Sequence, residues 1–431
     1  MITHELIERI EGEAVLEFNT DADGTVQEAD IRFLHFRGME AILEGRNALD
    51  ALVIAPRVCG ICGHSHLIAA VRMLENIYVN TGAKITLSSK AKAIREITRL
   101  CELLQNHIKW LYLVMLHEAG KLANEEPPVA LKALYITTQI NQLCALFSGQ
   151  WPHSSYALPG GVTCDPTYIE VMQGLKIVSD VEKFVTDEIL GCSFENFEST
   201  FDENISLQLS GDFGKLLRYF EQFNLLETGK SHQRFLMLGD ERLAMSENEM
   251  SIADLFLISE DSSNTFEKGG KTYAKNALYN NLFYETGPLA RAILTQRSGM
   301  TNLYRKHGDS SLTRLNARMD EIVYCVRKIR NLLNTLDLSE PSFVAPLSIE
   351  NISGTGIGIV EAPRGSLIHT AKVEKGKIVT YSMITPTQWN LGNGQHSNLG
   401  VAQKAMIGAE SIEKASLIFR TFDVCSVCTT H

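Results

Sequence analysis

A long predicted helix is the feature of this sequence that most constrains its fold. Apolar residues recur at intervals of three and four between Ile94 and Met115, which is the spacing of one face of an α-helix. Ser88 and Ser89 are typical N-cap residues, so the pattern predicts a helix that reaches about Ala119. At the rise of an α-helix, about 30 residues span about 45 Å. We therefore expect this helix to form the spine of a bundle.

The remaining patterns predict an α+β fold that is predominantly helical, with a long central helix bundle and small peripheral β-sheets. Alternating residues around Asp21–Gly24 predict a β-hairpin within 14–36. Residues 194–212 are polar and acidic, which predicts a surface excursion. We expect three units, namely a β-rich N-terminal segment over 1–50, a mainly helical core over 51–340 with a polar and β excursion near 194–275, and a C-terminal α/β segment over 341–431.

The composition argues against several classes of protein. The chain has 431 residues and a formal net charge of −11, and it has no basic cluster, so we do not expect nucleic-acid binding. The longest apolar run, near Trp110–Leu116, is far shorter than the roughly 20 residues of a transmembrane helix. The N-terminus lacks the basic and apolar regions of a signal peptide. We expect a cytoplasmic protein, although export on a partner's signal would leave no trace in this sequence.

Four of the nine cysteines form two C-x-x-C pairs, Cys59 with Cys62 and Cys425 with Cys428. Nine cysteines are too dilute for a disulfide scaffold, but two such pairs can place four thiolates around one metal site. Thiolates favour zinc, an iron–sulfur cluster or a nickel–iron centre, and the spacing alone leaves these alternatives open. We expect the other cysteines to be small buried hydrophobic residues; they are Cys101, Cys144, Cys164, Cys192 and Cys325.

The residues around both pairs resemble the catalytic large subunit of nickel–iron hydrogenases. The strings that carry this resemblance extend over nearly the whole chain. They are R-I-E-G at 9–12, R-V-C-G-I-C at 57–62 with His66, E-A-P-R-G at 361–365, P-T-Q-W-N at 386–390 and D-V-C-S-V-C-T-T-H at 423–431.

The resemblance implies the fold of that family and a nickel–iron centre whose iron carries two cyanides and one carbon monoxide. Cys59 and Cys425 would be terminal nickel ligands, and Cys62 and Cys428 would bridge nickel and iron. The reaction would be the heterolytic cleavage or formation of dihydrogen, so the chain would be an oxidoreductase that acts on hydrogen.

The resemblance also assigns acid–base and electrostatic roles. Cys425 would take the proton first, and Glu11 would relay it away from the metal centre. Arg364 would lie over the open site as an electrostatic positioner, because arginine is almost never deprotonated. Asp423 would be its carboxylate partner. Without the resemblance, Glu11 would be interpreted as a surface carboxylate.

Further matches concern the surroundings of the metals. His66 would donate a hydrogen bond to a bridging sulfur, whereas Glu40 and His431 would bind magnesium or a similar divalent ion. A chain that ends at this histidine matches a mature form from which a maturation endopeptidase has removed an extension, or a member made without one. The pocket for the diatomic ligands would consist of Pro363, Arg364, Pro386 and Thr387.

The sequence departs from the family pattern in a few places, of which Asn106 bears most on the site. An aspartate or serine is common there, so the charge balance around Arg364 is in question, and we leave Asn106 out of the catalytic set.

We expect the chain to be one half of a heterodimer that functions in hydrogen uptake or evolution. The electrons released at the metal centre must be carried away through iron–sulfur clusters. This chain has no further cluster of cysteines to bind them, so an iron–sulfur small subunit would supply them. The alternative function is a hydrogen-sensing subunit. Less favoured are a four-cysteine zinc protein and a non-catalytic relative such as the quinone-site subunit of respiratory complex I, since such relatives have lost the cysteine pairs.

Overall fold

Helices and small antiparallel sheets form the fold, as the sequence predicts. The computed structural model describes residues 2–9, 12–126, 131–203, 208–239, 243–247, 249–395 and 398–425. The sheets are separate, with strand orders β1-β2-β3, β4-β5, β6-β7-β8, β9-β10 and β11-β12-β13. The strands are β1 Ile2–Arg9, β2 Gly12–Thr20, β3 Val26–Arg32, β4 Ala157–Leu158, β5 Gly161–Val162, β6 Phe235–Met237, β7 Ala244–Ser246, β8 Met250–Ile252, β9 Ile258–Asp261, β10 Asn276–Tyr279, β11 Gly354–Ala362, β12 Gly365–Glu374 and β13 Lys377–Ile384.

Helices occur along most of the chain and include both short and long elements. They are α1 Met39–Leu43, α2 Ala51–Ile54, α3 Gly63–Asn80, α4 Ser89–Trp110, α5 Leu116–Leu122, α6 Leu131–Ser148, α7 Tyr168–Phe184, α8 Phe194–Glu203, α9 Asp212–Gln222, α10 Pro288–Leu294, α11 Ser298–His307, α12 Ser311–Asn334, α13 Pro386–Asn390, α14 Val401–Met406 and α15 Ile412–Arg420.

The long helix predicted from the apolar stripe is confirmed. The Ser88 side chain caps α4 by accepting a hydrogen bond from the backbone N–H of Ala91. A π-helical segment, Leu111–Met115, joins α4 to α5, so the helical path continues to Leu122. The helices α6 and α12 pack against α4, and α7 packs against both of them. These four helices form the bundle.

Close packing of α3 against β11 determines where the first cysteine pair lies. Two glycines of β11 permit this contact, because a Cβ atom at Gly358 would lie 2.0 Å from the carbonyl oxygen of Ala69 and one at Gly356 would lie 2.3 Å from that of Met73. The N-terminus of α3 follows Cys62 directly. Helix α3 therefore carries this cysteine beside the sheet that ends in the E-A-P-R-G string.

The turn between β11 and β12 consists of Pro363 and Arg364, since Ala362 pairs with Gly365 in the antiparallel register. At the other end of the described chain, α15 ends at Arg420, and the segment from Thr421 to Cys425 is buried. The tip of this hairpin and the segment after α15 thus both lie in the protein interior.

The expectation of a surface excursion over 194–212 is wrong. Phe194–Glu203 forms α8, in which Phe197 and Phe201 are buried and pack against each other. Phe213 of α9 contacts Phe197. The acidic residues made this segment look exposed, but phenylalanines at intervals of three and four give it an apolar face.

Membrane-spanning helices are absent from the described part of the chain. Of the helices in the described ranges, none combines the length and the apolar character that crossing a bilayer requires.

Candidate metal centre

Three of the four predicted thiolate ligands lie together in the interior. Cys59, Cys62 and Cys425 are buried, and their sulfur atoms all lie within 4.8 Å of one another. The Sγ atoms of Cys59 and Cys425 are 3.5 Å apart. Cys428 falls outside the described residues. The fold thus brings residues from both C-x-x-C pairs to one point, which local spacing alone could not establish.

Two kinds of local structure place these cysteines. Cys59 follows a short 3₁₀ helix, Ala55–Val58, and has an extended backbone, whereas Cys62 is the N-cap residue of α3. Cys425 comes two residues after Asp423, whose positive φ of 62° turns the chain after α15. The three cysteines therefore all lie at irregular positions next to helix ends, and none is inside a regular helix or strand.

A small cavity adjoins the thiols. Cys62 and Cys425 contribute to its wall, together with Ser65 and the candidate residues His66, Pro363, Arg364, Pro386 and Thr387. The structure therefore brings the predicted pocket residues together with the thiols.

Arg364 and Asp423 form a buried ion pair at this cavity. Nη2 of Arg364 lies 3.0 Å from Oδ2 of Asp423, and both side chains are almost completely buried. Burial lowers the pKa of Arg364, but the negative charges of Asp423 and of the three thiolates outweigh this effect and raise it above its ordinary value. The guanidinium is therefore a fixed positive charge beside the thiols.

The same aspartate begins a longer network of buried charges. Nη1 of Arg318 lies 3.9 Å from Oδ2 of Asp423 and 3.4 Å from Nδ1 of His107. Nε2 of His107 lies 2.7 Å from Glu321, which also pairs with Arg291 at 2.6 Å. Burial would raise the pKa of Glu321, but the charge and hydrogen bonds of Arg291 lower it well below its usual value. Opposite charges thus alternate from the cavity into the bundle.

Glu102 is a site residue that the sequence analysis missed. It lies on α4, is fully buried, and accepts hydrogen bonds from the backbone N–H groups of His64 at 2.7 Å and Ser65 at 3.0 Å. The Ser65 hydroxyl donates to the same carboxylate. A carboxylate at a helix N-terminus satisfies otherwise unpaired N–H groups. Glu102 therefore anchors the first turn of α3, directly after Cys62.

Asn106, which we left out of the catalytic set, also contacts the site. Its Oδ1 accepts a hydrogen bond from Nη2 of Arg364 at 3.4 Å, and its Nδ2 donates to the carbonyl of Ile61 at 2.6 Å. Glu102 and Asn106 are four residues apart and so lie on one face of α4. Because α4 carries many other polar and charged residues, this spacing does not distinguish the two from their neighbours in the sequence.

The remaining predicted residues lie elsewhere. Glu40 is on α1, where it accepts a hydrogen bond from the backbone N–H of Met383 at 2.7 Å and lies 3.8 Å from Nζ of Lys275. Glu11 and His431 fall outside the described residues.

The five cysteines outside the pairs are free. Cys101, Cys144 and Cys325 are buried, as expected for small hydrophobic residues, whereas Cys164 and Cys192 are only partly buried.

The buried thiols and the unpaired hydrogen-bond donors beside them fit a metal centre whose small ligands accept hydrogen bonds. Within the described residues, neither Nη1 of Arg364 nor Oγ1 of Thr387 has a hydrogen-bond partner, although both atoms are buried. Unpaired buried donors are costly, and both residues line the cavity beside the thiols. Three soft thiolates suit nickel and iron, and the two donors suit ligands with lone pairs, such as cyanide.

The pKa of Glu102 gives a test of its place in the site. Burial raises this pKa to about 7, against the effects of the Ser65 and His64 hydrogen bonds and of Arg364. Such a carboxyl stabilises the fold fully below its ordinary pKa and loses that contribution as the pH rises through about 7. We predict that, from about pH 5 to about pH 8, the thermal midpoint of the wild type falls relative to that of Glu102→Gln, because glutamine does not titrate.

Thermal unfolding of both proteins in a series of buffers measures this difference. Glu44→Gln is the control for replacing a carboxylate with an amide, since Glu44 is exposed. A pH-independent difference for Glu102→Gln would contradict the prediction.

Comparisons with known proteins agree with this chemistry. The family model described as nickel-dependent hydrogenase matches residues 37–118 and 240–431, which is more than half of the chain and includes all the predicted metal ligands.

Individual relatives match over nearly their whole length. The chain is 25% identical to one of the subunits of the F420-non-reducing hydrogenase of Methanothermobacter marburgensis, with 100% of this chain and 94% of the relative covered. It is 23% identical to the periplasmic [NiFeSe] hydrogenase large subunit of Desulfomicrobium baculatum, with 98% and 93% covered. The solved structure of the reduced Ni-Fe-Se hydrogenase from Desulfovibrio vulgaris Hildenborough has the same fold, with a TM-score of 0.85, 22% identity and 100% of both chains covered.

This family match also decides against the zinc protein that the cysteine spacing alone left open. The chain belongs to the nickel-dependent hydrogenase family and is the large subunit of a nickel–iron hydrogenase.

Proposed function

We propose that this chain catalyses the heterolytic cleavage or formation of dihydrogen at a nickel–iron centre and passes the electrons to an iron–sulfur small subunit. The observation that carries the proposal is the cluster of three buried thiols beside the unpaired donors of Arg364 and Thr387. Cys59, Cys425, Cys62 and Cys428 would hold the metals, the first two as terminal nickel ligands and the last two as bridges. When bound, this centre supplies the Lewis acidity and the redox change that polarise dihydrogen.

Arg364 provides a preorganised positive charge for this reaction. Asp423 and Asn106 fix the orientation of its guanidinium, while Nη1 and Nε are free of partners among the described residues. Charges that are oriented before the reaction need no reorganisation during it, which makes them effective in a dry site. Arg364 stays protonated, so it positions charge and does not act as a base.

The proton that leaves dihydrogen needs an acceptor within hydrogen-bond reach. The Cys425 thiolate is the proposed first acceptor, because it lies at the cavity wall and would itself bind nickel. Glu11 would take the proton from this sulfur and pass it towards solvent. The sequence motif around Glu11 supports this role.

Other residues of the cavity would bind the diatomic ligands and tune the sulfur ligands. The Thr387 hydroxyl can donate to a cyanide nitrogen, and Pro363 and Pro386 provide an apolar wall. His66 would donate a hydrogen bond to a bridging thiolate, which adjusts its basicity.

A divalent ion, magnesium or a similar cation, would bind at Glu40 and His431. The carboxylate of Glu40 is a hard oxygen ligand of the kind that Mg²⁺ prefers.

Two relatives are named as subunits of hydrogenases, one of them as a large subunit, which supports a partner subunit in a heterodimer. A maturation endopeptidase and a cytoplasmic location stay predictions, the latter because the Desulfomicrobium baculatum relative is named as periplasmic.

Metal analysis with infrared spectroscopy tests the proposal most directly. We expect the purified complex to contain nickel and iron and to show carbonyl and cyanide stretching bands. Cys425→Ser should lose nickel and these bands, whereas Cys192→Ser, a partly buried cysteine outside the pairs, should keep both. If the complex contains zinc and no nickel, and its spectrum lacks these bands, the proposal is wrong.

Replacing Arg364 tests the electrostatic role. We predict that Arg364→Lys lowers the rate of hydrogen oxidation by roughly 10² to 10³, because a lysine keeps the charge but cannot reproduce the planar set of oriented donors. Nickel content and the infrared bands should remain. Arg330→Lys, on a partly exposed arginine that pairs with Glu182, is the matched control, and unchanged turnover in Arg364→Lys would remove this residue from the mechanism.

Glu11 can be tested by exchange of isotopes between hydrogen gas and water. We predict that Glu11→Gln abolishes hydrogen–deuterium exchange with solvent while the metal centre stays assembled, because the amide cannot carry the proton. Glu13→Gln, an exposed neighbour, should retain exchange. If Glu11→Gln also retains it, the proton leaves by another route.

A further inference from the structure

Three buried side chains form a hydrogen-bonded chain that leads from the cavity to β13. Nδ1 of His66, on the first turn of α3, lies 3.0 Å from Nε2 of His369 on β12. Nδ1 of His369 lies 2.6 Å from the hydroxyl of Tyr381 on β13. Tyr381 pairs with Ala371 in the antiparallel register, two positions from His369, so the two side chains lie on one face of the sheet.

The direction of hydrogen donation along this chain determines what His66 presents to the cavity. A neutral imidazole has one donor and one acceptor nitrogen, so each hydrogen bond fixes the tautomer of the next ring. If the Tyr381 hydroxyl donates to Nδ1 of His369, the proton of His369 is on Nε2. That proton is then donated to Nδ1 of His66, and His66 carries its own proton on Nε2.

Two observations favour this direction. Within the described ranges, the Tyr381 hydroxyl has His369 as its hydrogen-bond partner and no other, so the reverse direction would leave its proton without an acceptor there. Burial also raises the pKa of Tyr381, which keeps the hydroxyl protonated.

The environment of His66 favours the same direction. His66 lines the cavity together with Cys62 and Cys425, and its Nδ1 contacts His369, so Nε2 is the ring nitrogen that would act on the thiols. A lone pair on Nε2 would repel thiolate sulfurs, whereas an N–H group would be attracted to them.

We propose that Tyr381 and His369 are positioning residues, which hold His66 as the Nε2–H tautomer and so supply a hydrogen-bond donor to the thiolates of the metal centre. The inference rests on the proposed function, since this donor matters where thiolates bind the metals. A hydrogen bond to sulfur withdraws electron density from the thiolate and, through it, from the iron. Its loss therefore shifts the carbonyl stretching band to lower wavenumber.

Infrared spectra and kinetics of the metal-loaded complex test this proposal. Tyr381→Phe should shift the carbonyl band to lower wavenumber and lower kcat for hydrogen oxidation by about tenfold, a typical effect of residues that orient metal ligands. His369→Leu should have the same two effects. His369→Gln should keep the wild-type band and most of the turnover, because its amide can accept from Tyr381 and donate to His66.

The double variant Tyr381→Phe/His369→Leu separates this role from a structural one. Because Tyr381 acts through His369, the double variant should match His369→Leu alone, whereas two independent packing defects would add. ¹⁵N spectra of histidine-labelled protein give a measurement that does not require activity, and they should show Nε2–H at both rings in the wild type and a mixture in Tyr381→Phe.

The control is Tyr112→Phe, which also removes a buried hydroxyl, one that bonds to Asp212 at 2.7 Å. This variant should leave the infrared band and turnover unchanged. If the wild type shows the bands and Tyr381→Phe changes neither the bands nor the ¹⁵N spectra, the inference is wrong and the proposed function stands. A wild type without carbonyl and cyanide bands would overturn both.

Discussion

The buried ion pair between Arg364 and Asp423 is the interaction on which the rest of the site depends. It joins the turn between β11 and β12 to the segment that follows α15, and Cys425 lies two residues beyond this aspartate. A buried charge that loses its partner costs about 3–5 kcal/mol. If residues 421–425 packed elsewhere, Arg364 would be a buried charge without its partner. The requirement to pair one guanidinium therefore helps to bring Cys425 to Cys59 and Cys62.

The charges behind this pair make its geometry rigid. Arg318 faces Asp423 from α12, and its guanidinium also lies 4.5 Å from the centre of the Trp110 ring. Beyond it, the ring of His107, whose pKa burial lowers, connects Arg318 to Glu321, and Glu321 pairs with Arg291, so the network extends over α4, α12 and α10. Buried networks of paired charges resist rearrangement, because a displaced charge would lose its partner in a low dielectric. The free-energy cost of orienting the Arg364 guanidinium therefore arises during folding and not during the reaction.

The parts of this structure that could be predicted from sequence are those in which the signal is local. The apolar stripe of α4 and the two C-x-x-C pairs are patterns within a few turns or residues, and the family strings identified Arg364 and Asp423. Glu102 could not be predicted, because its role arises only when the N-terminus of α3 packs against α4. The same reason applies to His369 and Tyr381. Both lie in strands with an ordinary sequence pattern, and their contacts with each other and with His66 form only when α3 packs against the sheet. The error over 194–212 has another cause, since its acidic residues concealed the apolar face made by Phe194, Phe197 and Phe201.

The first turn of α3 has a hydrogen-bonding pattern that bears on the donor proposed for the thiols. A helix N-terminus presents free N–H groups and a partial positive charge, which stabilise a nearby thiolate. Here Glu102 occupies the N–H groups of His64 and Ser65, so two of these donors are directed into the protein and away from the cavity. The carboxylate fixes the turn that contains Cys62, but it takes away the backbone donors that a thiolate would otherwise use. In the proposed arrangement, His66, one residue further along the same turn, would restore a donor through its ring. The sulfur atoms would then receive a hydrogen bond whose presence depends on a tautomer, and the contact of His66 with His369 on β12 would fix that tautomer.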